Sequence, residues 1–248
     1  MSAQDDLRGL RGRLVIEVSL AAVAQRLADD LVDSLRQRLA EAGTVHLALS
    51  GGTSPQGLYQ SLATDARYAA RDWARTHLWL VDERCVPDGD PRPNFAMIRS
   101  ALADHVSVPR AQVHPMPVGL ADGDRRYEDD LRRALASGRL DAAVLGMGPD
   151  GHTASLFPHS PALDERETWV RFNDGERVLA PRPRMTLTYP ILCAARFLAV
   201  LVTGASKHAA LLAAARSPDD LHTHPIVGIR PAADSKLLWY LDRAAVEG

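Results

Sequence analysis

His152 closes the segment Gly146-Met147-Gly148-Pro149-Asp150-Gly151-His152, which sets an imidazole on a glycine-framed turn. With an ordinary pKa of about 6.5, a neutral imidazole so placed can take a proton from water near neutral pH. Asp150, two residues earlier, can orient or polarise it. A different chemistry is written into Ser50-Gly51-Gly52-Thr53-Ser54-Pro55. Glycines let successive backbone N–H groups turn toward an anion, hydroxyls add donors, and a helix beginning near Pro55 contributes its positive end. That loop suits a phosphate. Asp82-Glu83-Arg84 carries two acids and a guanidinium whose planar fork of donors can hold a carbonyl oxygen or a carboxylate. Arg182 and Arg184 offer further anion donors, and Lys207, in Gly204-Ala205-Ser206-Lys207-His208, offers a point charge. Lys207 stands out by composition: of 29 basic residues only Lys207 and Lys236 are lysines.

Other chemistries lack their signatures. No Gly-Lys-Ser/Thr follows the 50–54 loop, and there is no G-x-S-x-G elbow, no H-E-x-x-H and no cysteine framed for catalysis. Residues 146–151 match G-x-G-x-x-G, but in mid-chain and stiffened by Pro149, so a nicotinamide cofactor is not expected. His222 and His224 could hold a metal only with distant help, and none is expected. The residues thus point to acid–base chemistry by His152 on a phosphorylated small molecule, without naming the reaction.

These groups need a scaffold, and the hydrophobic patterning supplies one. Residues 14–18 read as a strand, after which Ser19 can cap a helix with Leu20, Val23, Leu27, Leu31, Leu35 and Leu39 at helical spacing until Gly43. Strands are expected at 45–49, 78–81, 142–145 and 197–202, and helices near 94–104, 124–136 and 206–215. A strand at 237–240 is expected to close the sheet. Such alternation implies parallel β-α-β units covered on both faces. Ligands bind beyond the carboxyl ends of such strands. The segments 50–54, 82–85, 146–152 and 203–207 each follow an expected strand, so they should line one edge and build one site. No repeat or linker interrupts the pattern, and 1–248 reads as one domain with turn-rich loops around 86–93 and 158–167.

The chain's 248 residues are 46% hydrophobic with only two cysteines, which excludes a disordered or disulfide-stapled protein. A net charge of −2 argues against nucleic acid as a partner. The first 13 residues lack the apolar core of an export signal, and the longest apolar run, 191–202, is broken by Arg196. A cytoplasmic protein without membrane contact, its two thiols reduced, is expected.

Taken together, Leu49-Ser50-Gly51-Gly52-Thr53-Ser54-Pro55, Asp82-Glu83-Arg84, Asn94-Phe95, the stretch from Gly146 through His152 to Thr153-Ala154-Ser155-Leu156-Phe157-Pro158, Arg184-Met185-Thr186-Leu187-Thr188 and Lys207 resemble the 6-phosphogluconolactonases of the pentose phosphate pathway. These are relatives of the glucosamine-6-phosphate isomerases/deaminases. The resemblance implies an α/β, Rossmann-like three-layer sandwich with a mostly parallel central sheet. It implies hydrolysis of 6-phospho-D-glucono-1,5-lactone, a sugar-phosphate lactone, with no required metal or organic cofactor. It assigns His152 as the base that activates water and Arg84 as the group near the lactone carbonyl, with Asp150 and Asp82 as the remaining acid–base candidates. The phosphate falls to Ser50, Gly51, Gly52, Thr53, Lys207 and Arg184. The isomerases typically carry Asp-Glu-Tyr in place of Asp82-Glu83-Arg84 and a glutamate where Phe157 stands, so that activity is the alternative. A sugar-phosphate sensor without catalysis is another, and it would be expected to lose His152. Oligomeric state is left open.

Overall fold

The computed structural model describes residues 5–69, 72–86, 93–173 and 183–248. Arg182 and most of the 86–93 loop lie outside the described residues. In chain order the regular elements are β1 (Arg13–Glu17), α1 (Leu20–Ala42), β2 (Val45–Leu49), α2 (Gln56–Thr64), α3 (Ala66–Ala69), β3 (Thr76–Leu80), β4 (Asp82–Arg84), α4 (Asn94–Ile98), β5 (Val113–His114), α5 (Gly123–Ala134), β6 (Ala142–Gly146), β7 (Val170–Asn173), β8 (Arg184–Leu187), α6 (Tyr189–Ala194), β9 (Phe197–Val202), α7 (His208–Arg216), β10 (Lys236–Asp242) and α8 (Arg243–Glu247).

Local chemistry explains the first crossover. Ser19 caps α1, its Oγ accepting from the Ala22 N–H at 3.3 Å. Val23, Leu27, Leu31, Leu35 and Leu39 form the buried stripe, and the Gly43 N–H donates to the Leu39 carbonyl as the helix ends. Each leucine buried there contributes about 1.5–3 kcal/mol. Leu20, expected in the same stripe, is 43% exposed instead.

Seven strands form one parallel sheet in the order β1-β10-β9-β6-β2-β3-β5, flanked by helices. Every residue of β2 and β9 is buried, as strands covered on both faces require. From β2 the chain builds outward through β3 and β5, then returns to lay β6 on the other side of β2. The strand order therefore switches between β2 and β6, and a cleft opens at their carboxyl ends.

One expectation needs correction. The strand at 237–240 does not close the sheet: β10 lies between β1 and β9, and β1 and β5 are the edges. Alternation of strands and helices carries no strand order, although the near-continuous burial of β10 is what an interior position demands. Residues 82–84, the polar segment after the strand expected at 78–81, are themselves extended. They form β4, which pairs antiparallel with β8 in a second, three-stranded sheet, β4-β8-β7. No described helix is long and apolar enough to cross a membrane.

Near the β5 edge, His46, His77 and His114 stack in a row, with centroids 4.6 Å and 5.2 Å apart, and the Trp79 indole lies on His114 at 3.7 Å. Burial, with His77 adding repulsion, pushes His46 and His114 down to about 4, and burial lowers His77 too. These rings stay neutral in the fold while the unfolded chain takes up protons below about pH 6.5. Their contribution is complete above that pH and is lost progressively toward pH 4, on the order of 3 kcal/mol for His46 alone. The melting temperature should fall across that window. His114→Phe, which keeps a ring on Trp79 and removes a titrating group, should flatten the fall; parallel curves for variant and wild type would exclude the histidine row as its cause.

Candidate active site

The cleft at the strand ends has a volume of about 340 Å³. Ser50, Gly51, Gly52, Thr53, Asp82, Arg84, His152, Arg184 and Lys207 all line it, so the four expected segments do meet. Asp150 does not line the cleft. It lies behind His152, its Oδ1 at 2.5 Å from Nδ1, and also accepts from the His152 backbone N–H at 3.2 Å. Burial raises the Asp150 pKa, but the hydrogen bond and charge of His152 outweigh it and hold the carboxyl below its usual range. An ionised acceptor on Nδ1 selects the tautomer that leaves Nε2 with a lone pair. The turn that presents this pair depends on Gly148, where a Cβ would come within 2.1 Å of His152 Nδ1 and 2.6 Å of Asp150 Oδ1.

The 50–54 loop is tied down at both ends. Tyr59 Oη donates to the Ser50 carbonyl at 2.7 Å and Thr203 Oγ1 to Ser54 Oγ at 3.3 Å, which anchors the loop to α2 and to the end of β9. The amides of Gly51, Gly52, Thr53 and Ser54 donate to no group among the described residues. Pro55 precedes the first helical residue of α2 instead of occupying it. Lys207 faces the same cleft without a salt bridge to any described carboxylate. Burial lowers its pKa and the Asp150 carboxylate opposes that, so an arriving dianion would find an incompletely compensated cation.

The small antiparallel sheet supplies the rest. Side chains alternate along a strand, so Asp82 and Arg84 share one face of β4 and Glu83 takes the other. Register sets Arg184 directly opposite Arg84 and Thr186 opposite Asp82. Like charges across a strand pair are unfavourable; these two are relieved by Asp82, whose charge acts on Arg184. Arg184 Nε is buried without a hydrogen-bond partner among the described residues, and burial lowers the pKa of the group. Asp82 accepts from Ser155 Oγ at 2.6 Å and Asn94 Nδ2 at 3.1 Å. Burial nevertheless raises its pKa, against Ser155, Arg184, His152 and Arg84. Among the described residues no group of three or more His, Cys, Asp or Glu side chains is arranged to hold a metal ion.

The profile of the glucosamine-6-phosphate isomerases/6-phosphogluconolactonase family matches residues 19–239. The chain belongs to this family. It is 37% identical over 245 residues to the 6-phosphogluconolactonase of Synechocystis sp., covering 95% of this chain and 94% of that one. To the GDH/6PGL endoplasmic bifunctional protein of Oryctolagus cuniculus it is 41% identical over 232 residues, 90% of this chain. It spans only 28% of that relative's length. Among solved structures, the 6-phosphogluconolactonase from Thermotoga maritima is 25% identical with a TM-score of 0.79, covering 93% of this chain and 99% of that one.

In this member of the glucosamine-6-phosphate isomerases/6-phosphogluconolactonase family, several cleft residues went unassigned by sequence. Ser155, Asn94 and Thr203 are small uncharged polar residues, visible beforehand only as parts of motif stretches. Ser155 is held on three sides: its N–H donates to Thr186 Oγ1 at 3.1 Å, its carbonyl accepts from Asn173 Nδ2 at 2.8 Å, and its Oγ reaches Asp82. Phe157 packs against His152 with ring centroids 4.7 Å apart.

Proposed function

We propose that this protein hydrolyses 6-phospho-D-glucono-1,5-lactone to 6-phospho-D-gluconate. The observation that carries the reading is the meeting, in one cleft, of His152 backed by Asp150, the Arg84 guanidinium and an anion-ready loop with Lys207. Water attacks the lactone C1, passing its proton to His152 Nε2 while Asp150 holds the other ring nitrogen. Arg84 stabilises the oxyanion that develops on the carbonyl oxygen. Collapse of the tetrahedral intermediate breaks the bond from C1 to the ring oxygen, and the imidazolium returns the proton to that leaving oxygen. Asp82, beside these groups, balances the arginines and is the next candidate for carrying a proton. The amides of Gly51, Gly52 and Thr53, the Ser50 hydroxyl, Lys207 and Arg184 hold the 6-phosphate.

Isomerisation of an amino sugar phosphate is disfavoured because an aromatic ring, Phe157, packs against His152 where that chemistry needs a carboxylate. Purified protein should speed the disappearance of freshly generated lactone at neutral pH, with or without chelator, and leave glucosamine 6-phosphate unchanged. A rate equal to the spontaneous background would overturn the proposal.

A further inference from the structure

Glu83 is only 3% exposed and projects from the opposite face of β4 to Asp82 and Arg84, so the mechanism above gives it no part. It is nonetheless the most heavily used acceptor near the cleft. Its Oε1 accepts from the Arg84 N–H at 2.7 Å and from the Asn94 N–H at 2.8 Å, and its Oε2 from the Phe95 N–H at 2.8 Å. Arg84 and Asn94 are ten positions apart and both line the cleft. Asn94 in turn donates to the Asp82 carbonyl at 2.9 Å and to its carboxylate, and lies so close on Gly51 that a Cβ there would meet Asn94 Oδ1 at 1.9 Å. One buried carboxylate thus fastens the backbone of a residue beside the acid–base group and of a residue touching the phosphate loop.

Resting on the lactonase reading, we propose that Glu83 is a positioning residue: its carboxylate clasps residues 84 and 94–95 together and thereby aims Arg84 at the reacting carbonyl and seats Asn94 between Asp82 and Gly51. The chemistry demands a carboxylate. Three converging N–H donors need acceptors on both oxygens, and an amide of the same shape offers one oxygen and turns an NH₂ toward at least one of the donors. Alanine would strand all three donors, which puts folding itself at risk.

The test uses Glu83→Gln in the full chain, checked by thermal melting. Hydrogen exchange should lose protection at the amides of Arg84, Asn94 and Phe95 while the parallel sheet stays protected. In the lactone assay, kcat should fall about 10–100-fold, as expected for a misplaced group, and by a larger factor than KM rises. In an Arg84→Ala background the part of the loss that runs through Arg84 should disappear, leaving only the smaller part that runs through Asn94. Unchanged exchange at the three amides, wild-type kcat, or losses that multiply in full in the double variant would each overturn the proposal. Absence of lactone hydrolysis by the wild-type protein would instead strike the functional reading, and the exchange measurement would still decide whether the clasp exists.

Discussion

Replacing His152 with alanine is expected to lower kcat for the phosphorylated lactone by about 10²–10⁴-fold, the worth of a positioned general base. KM should move little, since the proposed phosphate contacts lie elsewhere in the cleft. The ring's two nitrogens have different partners. Nδ1 is committed to Asp150 at 2.5 Å, which leaves Nε2 for water, and the low pKa of Asp150 keeps that orientation at any pH where the ring is neutral. Asp150→Asn should give a smaller loss of the same kind by allowing the wrong tautomer. Turnover like wild type in His152→Ala would move the base role, with Asp82 next in line because it lines the same cleft and burial raises its carboxyl pKa. Asp82→Asn would then abolish what His152→Ala had spared.

The second large effect concerns Lys207. A charge-assisted contact to a phosphate is worth roughly 1.5–3 kcal/mol, so Lys207→Ala should raise KM about 10–100-fold with a smaller effect on kcat. Lys236, exposed at the start of β10 and outside the cleft, is the internal control, and Lys236→Ala should leave both constants within about twofold. Similar KM changes from the two substitutions would show that the rarity of lysine here is compositional and that the 50–54 loop and Arg184 hold the anion by themselves.

Much of this site is legible in the sequence. The glycine-framed turn at His152, the Ser50-Gly51-Gly52 loop and the lone lysine at the end of β9 are each written in contiguous residues, and each follows a strand recognisable from a short apolar run. Their convergence also follows from local information, because parallel strands send all such loops to the same edge. Asn94 and Ser155 were different. Neither residue type announces a role, and their importance comes from distant partners: Asp82 and Gly51 for Asn94, Thr186 and Asn173 for Ser155. Glu83 was visible only as one charge in three, and nothing in its neighbours in sequence says that two more amides return to it from residues 94 and 95.

The sequence by itself determined what is local: the strands β1, β2, β3, β6, β9 and β10 of the parallel sheet and its longer helices, where glycine permits a turn, and which side chains have the chemistry to carry a proton or meet a phosphate. These follow from periodicity, backbone freedom and functional-group chemistry within a few residues. Tertiary structure alone decided that β10 is interior, that Asp82–Arg84 is a strand of a separate antiparallel sheet, and that its register sets Arg84 opposite Arg184. The physical reason is that strand order and register are settled by the packing of whole faces. The two arginines, a hundred positions apart in the chain, share the cleft because the β4–β8 pairing brings them there and the Asp82 carboxylate makes their proximity tolerable.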